Sequence, residues 1–168
     1  RGEIGLGDAL ALLPSGIPYV LALLGFFVAH EMGHYLACRR YGVDCTVPYF
    51  LPVPSLVSLI GTLGALIRIR GRIPTRRALF DIGIAGPLAG FAVAVPLLVV
   101  GTLAAPLGPP GAAPRGTIVF GDSLLTWALG WLLRPDAREA SLYLDPIYLA
   151  GWVGVFATAL NLLPAGQL

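Results

Sequence analysis

Between Pro146 and Leu168 the chain runs for 23 residues without a formal charge. A helix needs about 20 apolar residues to cross a bilayer, so a run of this length limits the fold more than any other feature. Two further runs, Ile17 to Cys38 and the one that starts after Arg76-Arg77 and continues to about Leu107, are nearly as poor in charge. Of the 168 residues, 57% are hydrophobic and 12% charged, and the mean hydropathy is +0.81. A soluble domain carries about 25% charged residues and keeps a polar exterior. The reading is therefore a mainly α polytopic membrane protein partnered by the lipid bilayer, with spans at about 17–38, 78–105 and 146–168. Disorder, collagen and a disulfide scaffold are excluded. The only cysteines, Cys38 and Cys45, read as ordinary thiols. A net charge of +2 gives no sign of nucleic-acid binding. Nothing in the sequence specifies an oligomeric state.

A fourth apolar stretch, Pro48 to Ile67, is charge-free for 20 residues but does not read as a span. Pro48, Pro52 and Pro54 break its first third, and Gly61 and Gly64 loosen the rest. Its tail, Leu66 to Arg72, alternates apolar and basic residues, the period of a strand. Arginine placement agrees. The segment from Arg39 to Arg77 holds seven Arg and one acid, Asp44; the segment from Thr102 to Leu144 holds three Arg against three acids. The positive-inside rule puts the first segment on the cytosolic side, and a crossing at Pro48–Ile67 would split its arginines between two sides. Residues 43–72 are thus expected to form a re-entrant β segment, covered by protein or lining a wet cavity. Past the third span, Pro106 to Gly116 reads as a loop. Ser123 to Leu133 is apolar, too short to span, and carries Trp127 and Trp131 four apart, which suggests an interfacial helix.

His30-Glu31-Met32-Gly33-His34 is the HExxH pattern, and these are the only two histidines in the chain. Positions i and i+4 share a helix face, so both imidazoles can reach one ion, and Glu31 can take a proton from a water that the ion activates. The cluster lies inside an apolar span, where an uncompensated acid costs about 2.5–3.5 kcal/mol. Zn2+ with water is the simplest compensation, since two imidazoles, a further ligand and a water make an open hydrolytic site. A polar cluster bonded between helices is the alternative. No third ligand stands out. Asp81 reads more readily as a partner for Arg76 or Arg77, and Asp145 lies on the wrong side of the membrane.

HExxH in such a helix, followed by Asn161-Leu162-Leu163-Pro164-Ala165-Gly166-Gln167-Leu168, resembles the site-2 protease family of intramembrane zinc metalloproteases. Gly86-Pro87-Leu88-Ala89-Gly90 resembles the small-residue motif of that family's middle core helix. The resemblance covers about residues 17–168. It implies a three-helix transmembrane catalytic core with a short membrane-associated β-hairpin or sheet. It implies that His30 and His34 bind zinc, that Glu31 is the general base and that Asn161 stabilises the oxyanion or positions the substrate carbonyl. The family's third ligand, an Asp, would come directly after Leu168. The chain begins with Arg1, so the expectation is one membrane-embedded peptidase core, 1–168, truncated at both ends. Transmembrane protein substrates are the implied partners.

From the residues themselves, Gly86 and Gly90 predict close helix packing, and Ala150, Gly154 and Thr158 predict a seam packing the last span against the first. A strand edge around Gly61–Ile69 could bind an unwound substrate by β-augmentation. Two other readings are weighed against the peptidase. One is a membrane metal-binding or transport protein, which would need acids within the spans beyond Glu31 and is weakened because only Asp81 is available. The other is a catalytically inactive scaffold relative. The expected setting is a bacterial plasma membrane, with the site toward the cytosol.

Overall fold

The computed structural model describes residues 6–52, 62–108, 121–137, 141–143 and 145–162. Among these the chain is mostly helical. The elements are α1 (Leu6–Arg40), β1 (Tyr49–Pro52), β2 (Thr62–Leu66), α2 (Arg76–Ala104), β3 (Leu107–Gly108), α3 (Leu124–Leu133), a 3-10 turn at Pro135–Ala137, β4 (Ser141–Leu142) and α4 (Pro146–Leu162). By length and composition, Pro14–Arg40 and Arg76–Ala104 could each cross a membrane; α3 and α4 are shorter over the described residues. Residues 163–168, the end of the predicted last span, lie outside them.

Helix α1 starts well before the predicted Ile17 and carries Pro14 and Pro18 inside it. The preceding residues, rich in Ala and Leu, favour a helix strongly. The two prolines stand four apart, so their missing donors fall along one line of the helix and the rest of the ladder survives. At the other end Arg39 and Arg40 oppose the helix dipole. Gly42 then takes a positive φ of 65°. Val43 N–H donates to Cys38 O at 2.9 Å and Gly42 N–H to Arg39 O at 3.2 Å, closing the helix with a Schellman motif. Its hydrophobic contact is the buried cluster of Cys38, Val43 and Ile82. Both cysteines are free thiols.

Strands β1 and β2 pair antiparallel, with Tyr49 opposite Leu66, Phe50 opposite Ala65 and Pro52 opposite Thr62. The register shifts between Phe50 and Pro52, which lets a proline sit at a bulge in a strand. Residues 53–61 lie outside the described residues. Beyond β2 the pairing continues loosely, through a Cys45–Ile69 bridge and Thr46 N–H donating to Arg68 O at 3.0 Å. The described part of the disputed stretch is therefore strand and not helix.

Helix α2 is capped by Thr75, whose hydroxyl accepts from Ala78 N–H at 3.1 Å. Helix α4 starts as its sequence requires: Asp145 accepts from Ile147 N–H at 2.8 Å and Pro146 occupies the first turn. The chain divides into two compact units, residues 1–23 with 95–153 and residues 24–94 with 154–168, the boundaries falling inside α1, α2 and α4. In the first, Leu98, Thr102, Ala105, Ala150 and Val153 are buried. In the second, Phe26, His30, Cys38, Ala78, Ile82 and Ala94 are buried.

Candidate metal and catalytic site

His30 and His34 sit one turn apart on α1, their ring centroids 5.0 Å apart. Both rings press against the small-residue face of α2. A Cβ at Gly86 would overlap the His34 imidazole, and one at Gly90 would come within 2.9 Å of His30 Nδ1 and 2.8 Å of the Phe26 ring. From the opposite side, a Cβ at Gly33 would collide with the Ala85 carbonyl and come within 2.9 Å of Ala89 Cβ. The glycine pair read as a packing motif is thus a packing motif for the two imidazoles themselves.

Hydrogen bonds fix both rings. His34 Nδ1 lies 2.7 Å from Ile82 O. A carbonyl only accepts, so the proton is on Nδ1 and Nε2 keeps its lone pair. From α4, Asn161 Nδ2 donates to His30 Nε2 at 3.1 Å, across 131 residues of sequence. His30 therefore also has its lone pair on Nε2. Its Nδ1 is buried with no hydrogen-bond partner. Phe26, one turn before His30, is buried and wedged between Gly90 of α2 and Gly154 of α4; a Cβ at Gly154 would meet its ring at 2.9 Å. Thr158 returns its hydroxyl to Gly154 O at 2.8 Å, so the α4 seam leaves no loose donor there.

Glu31 is buried beside the histidines, and the backbone amide of Ile67, which follows β2, acts on its carboxyl as a hydrogen-bond donor. Asp81 is held elsewhere: it accepts from the Tyr41 hydroxyl and lies 3.8 Å from Arg77 Nε. That is the arginine-partner role expected of it. The bond to Asp81 holds the Tyr41 hydroxyl above its ordinary pKa. Phe26, Tyr41 and the Ile67 amide escaped the sequence reading. An aromatic one turn from His30 was the only signal available for any of them.

Two neutral imidazoles with Nε2 lone pairs fit zinc. A room-sparing glycine stands beside each ring. Among the described residues no group of three or more His, Cys, Asp and Glu side chains is suited to a metal ion.

Peptidase family M50 matches residues 18–168. "Probable zinc metalloprotease EGY2, chloroplastic" of Arabidopsis thaliana is 33% identical over 163 residues, covering 96% of this chain and 28% of the relative. Its namesake in Oryza sativa subsp. indica is 35% identical over 163 residues, covering 96% and 29%. "Probable zinc metalloprotease EGY1, chloroplastic" of Oryza sativa subsp. japonica is 34% identical over 171 residues, covering 96% and 28%. The chain thus spans less than a third of the length of these curated relatives. No solved structure matches. The chloroplast location in the relatives' names lends no support to a bacterial plasma membrane or a cytosolic orientation.

Proposed function

Because the chain belongs to peptidase family M50, the site-2 protease family, we propose that it is the membrane-embedded core of a zinc metalloendopeptidase acting on transmembrane protein substrates. The observation that carries this reading is the convergence of His30 and His34 from α1 and Asn161 from α4, with the proton on Nδ1 of each ring; the His30 Nε2 lone pair, which accepts from Asn161 here, would pass to the metal as the Asn161 amide turns to substrate. Its core would be three helices, α1, α2 and α4, crossing the bilayer.

His30 and His34 would hold the zinc. When bound, the ion supplies Lewis acidity that brings a water's pKa toward about 7 and polarises a carbonyl. Glu31 accepts the proton of the attacking water and returns it to the leaving amine. Burial of Glu31 beside two imidazoles keeps it from bulk water during that exchange. Asn161 presents its amide N–H to the substrate carbonyl oxygen as negative charge builds there. His34 stays oriented through Ile82 O.

A substrate helix hides its peptide bonds in its own hydrogen bonds, so cleavage needs an extended segment. The action of the Ile67 amide on Glu31 supports β2 as the edge along which that segment lies. The arginine-rich segment from Arg39 to Arg77 favours opening of the site on the side of the membrane that holds this segment.

Glu31→Gln in the full-length protein tests the assignment. Zinc content should stay at the wild-type level while cleavage of a transmembrane substrate falls by about 10²–10⁴-fold. Retained cleavage would remove Glu31 from the chemistry, and loss of zinc would make it a ligand instead.

A further inference from the structure

Helix α3 has ten residues and no charge. It is apolar nearly all round, and its largest apolar side chains lie on the exposed side while Leu125, Leu129 and Leu133 are half-buried. Leu124, Trp127, Ala128, Trp131 and Leu132, at i, i+3, i+4, i+7 and i+8, form the exposed face, with Leu124 89%, Trp127 61%, Trp131 56% and Leu132 67% exposed. Such a stripe ordinarily seats a helix on its protein. Here the seated side carries Thr126, which is buried and hydrogen bonded with Tyr148 of α4.

Both ends of α3 are tied to helix ends. Just before it, Gly121 O accepts from Trp152 Nε1 of α4 at 3.2 Å. Just after it, Arg134 Nη1 donates to Thr102 O, Leu103 O and Ala105 O at 3.0, 3.3 and 2.9 Å. Those carbonyls end α2 and have no helical donors of their own. The remaining donors of the same guanidinium, Nε and Nη2, bind the Asp136 carboxylate at 3.1–3.2 Å. A guanidinium and a carboxylate are expensive in hydrocarbon, so this knot marks where α2 leaves the apolar layer. Helix α3 is fixed at that level. At ten residues, about 15 Å, it cannot itself cross.

We infer that α3 is an interfacial helix, its Leu124–Trp127–Trp131–Leu132 face seated in the boundary between lipid headgroups and acyl chains at the C-terminal end of α2. A tryptophan pair flanked by leucines suits that boundary, where an apolar body and one polar N–H are both satisfied. A lipid surface is favoured over a protein partner because the face carries no charge and lies at the membrane end of a spanning helix. The inference requires α2 to cross a membrane and is independent of the peptidase chemistry.

The test uses full-length protein in phosphatidylcholine vesicles brominated either near the top or near the end of the acyl chains. The emission removed by Trp127→Phe with Trp131→Phe, taken as the difference from wild type, isolates these two rings. It should be quenched several-fold more by the shallow bromines than by the deep ones, and scarcely by aqueous acrylamide. Quenching by acrylamide alone would put the face in water. Protection from all quenchers would put it under another protein. Either result overturns the inference. If the double variant does not reconstitute, each single variant is read the same way, with the same outcomes.

Discussion

A side chain is excluded at position 86 by what lies opposite it. Gly86 faces the His34 imidazole directly, and a Cβ there would overlap the ring, so either the ring leaves its bond to Ile82 O or the two helices move apart around it. Gly86→Ala should therefore weaken zinc binding and cleavage by about 10–100-fold, as measured by zinc competition with a chelator. At Gly25, also on α1, nothing lies within 4 Å of the added carbon, so Gly25→Ala should leave both unchanged and serves as the control. An equal effect at the two positions would show that helix propensity, and not the imidazole, sets the result. The contrast also separates what was legible in the sequence from what was not. His30, Glu31 and His34 were legible because i, i+4 neighbours are a local property of one helix. The contact of Asn161 with His30 crosses 131 residues, and no local rule announces it. It was reachable only through the resemblance of Asn161–Leu168 to a known motif. Phe26 and Tyr41 were invisible for a simpler reason: an aromatic in an apolar run looks like any other.

Among the elements, the helix ends and β2 carry the argument. Helix α2 begins at Arg76, two residues before the predicted 78, and the Asp145 cap of α4 was readable because capping is a matter of adjacent residues. The start of α1 was not. Prolines stop helices on average, and here two of them lie inside one because the flanking residues hold the ladder on either side. The stretch after Pro48 does not read as a span because its prolines break helical continuity, and its described parts are strand, with Pro52 at the register shift of β1; the alternating tail Leu66–Arg72, which suggests the strand, lies past β2 except for Leu66, with Ile69 held in the Cys45–Ile69 bridge. If β2 aligns the substrate, proline at two positions within Thr62–Leu66 should lower cleavage while zinc occupancy holds, since each proline removes a ladder donor. Cleavage at the wild-type rate with zinc in place would dismiss the strand as a substrate guide.

For the whole molecule, 57% hydrophobic residues and two helices of membrane-crossing length set the environment, and membership of the M50 family sets the chemistry to look for. Large exposed apolar residues such as Val20, Leu21, Phe80, Leu88 and Leu103 lie along α1 and α2, as they would on helices facing acyl chains. What the composition could not reveal is how polar groups are stored in such a body. Among the described residues the polar ties include long-range ones such as Asn161 to His30, Tyr41 to Asp81 and Arg134 to the end of α2. Each depends on the tertiary arrangement. All of this presumes that the two imidazoles are arranged for an ion. The direct measurement is the zinc content of the purified full-length protein, wild type beside His30→Ala and His34→Ala. The account expects about one zinc per wild-type chain, lost in both variants together with cleavage. Wild-type protein that is folded and cleaves its substrate without stoichiometric metal would contradict it.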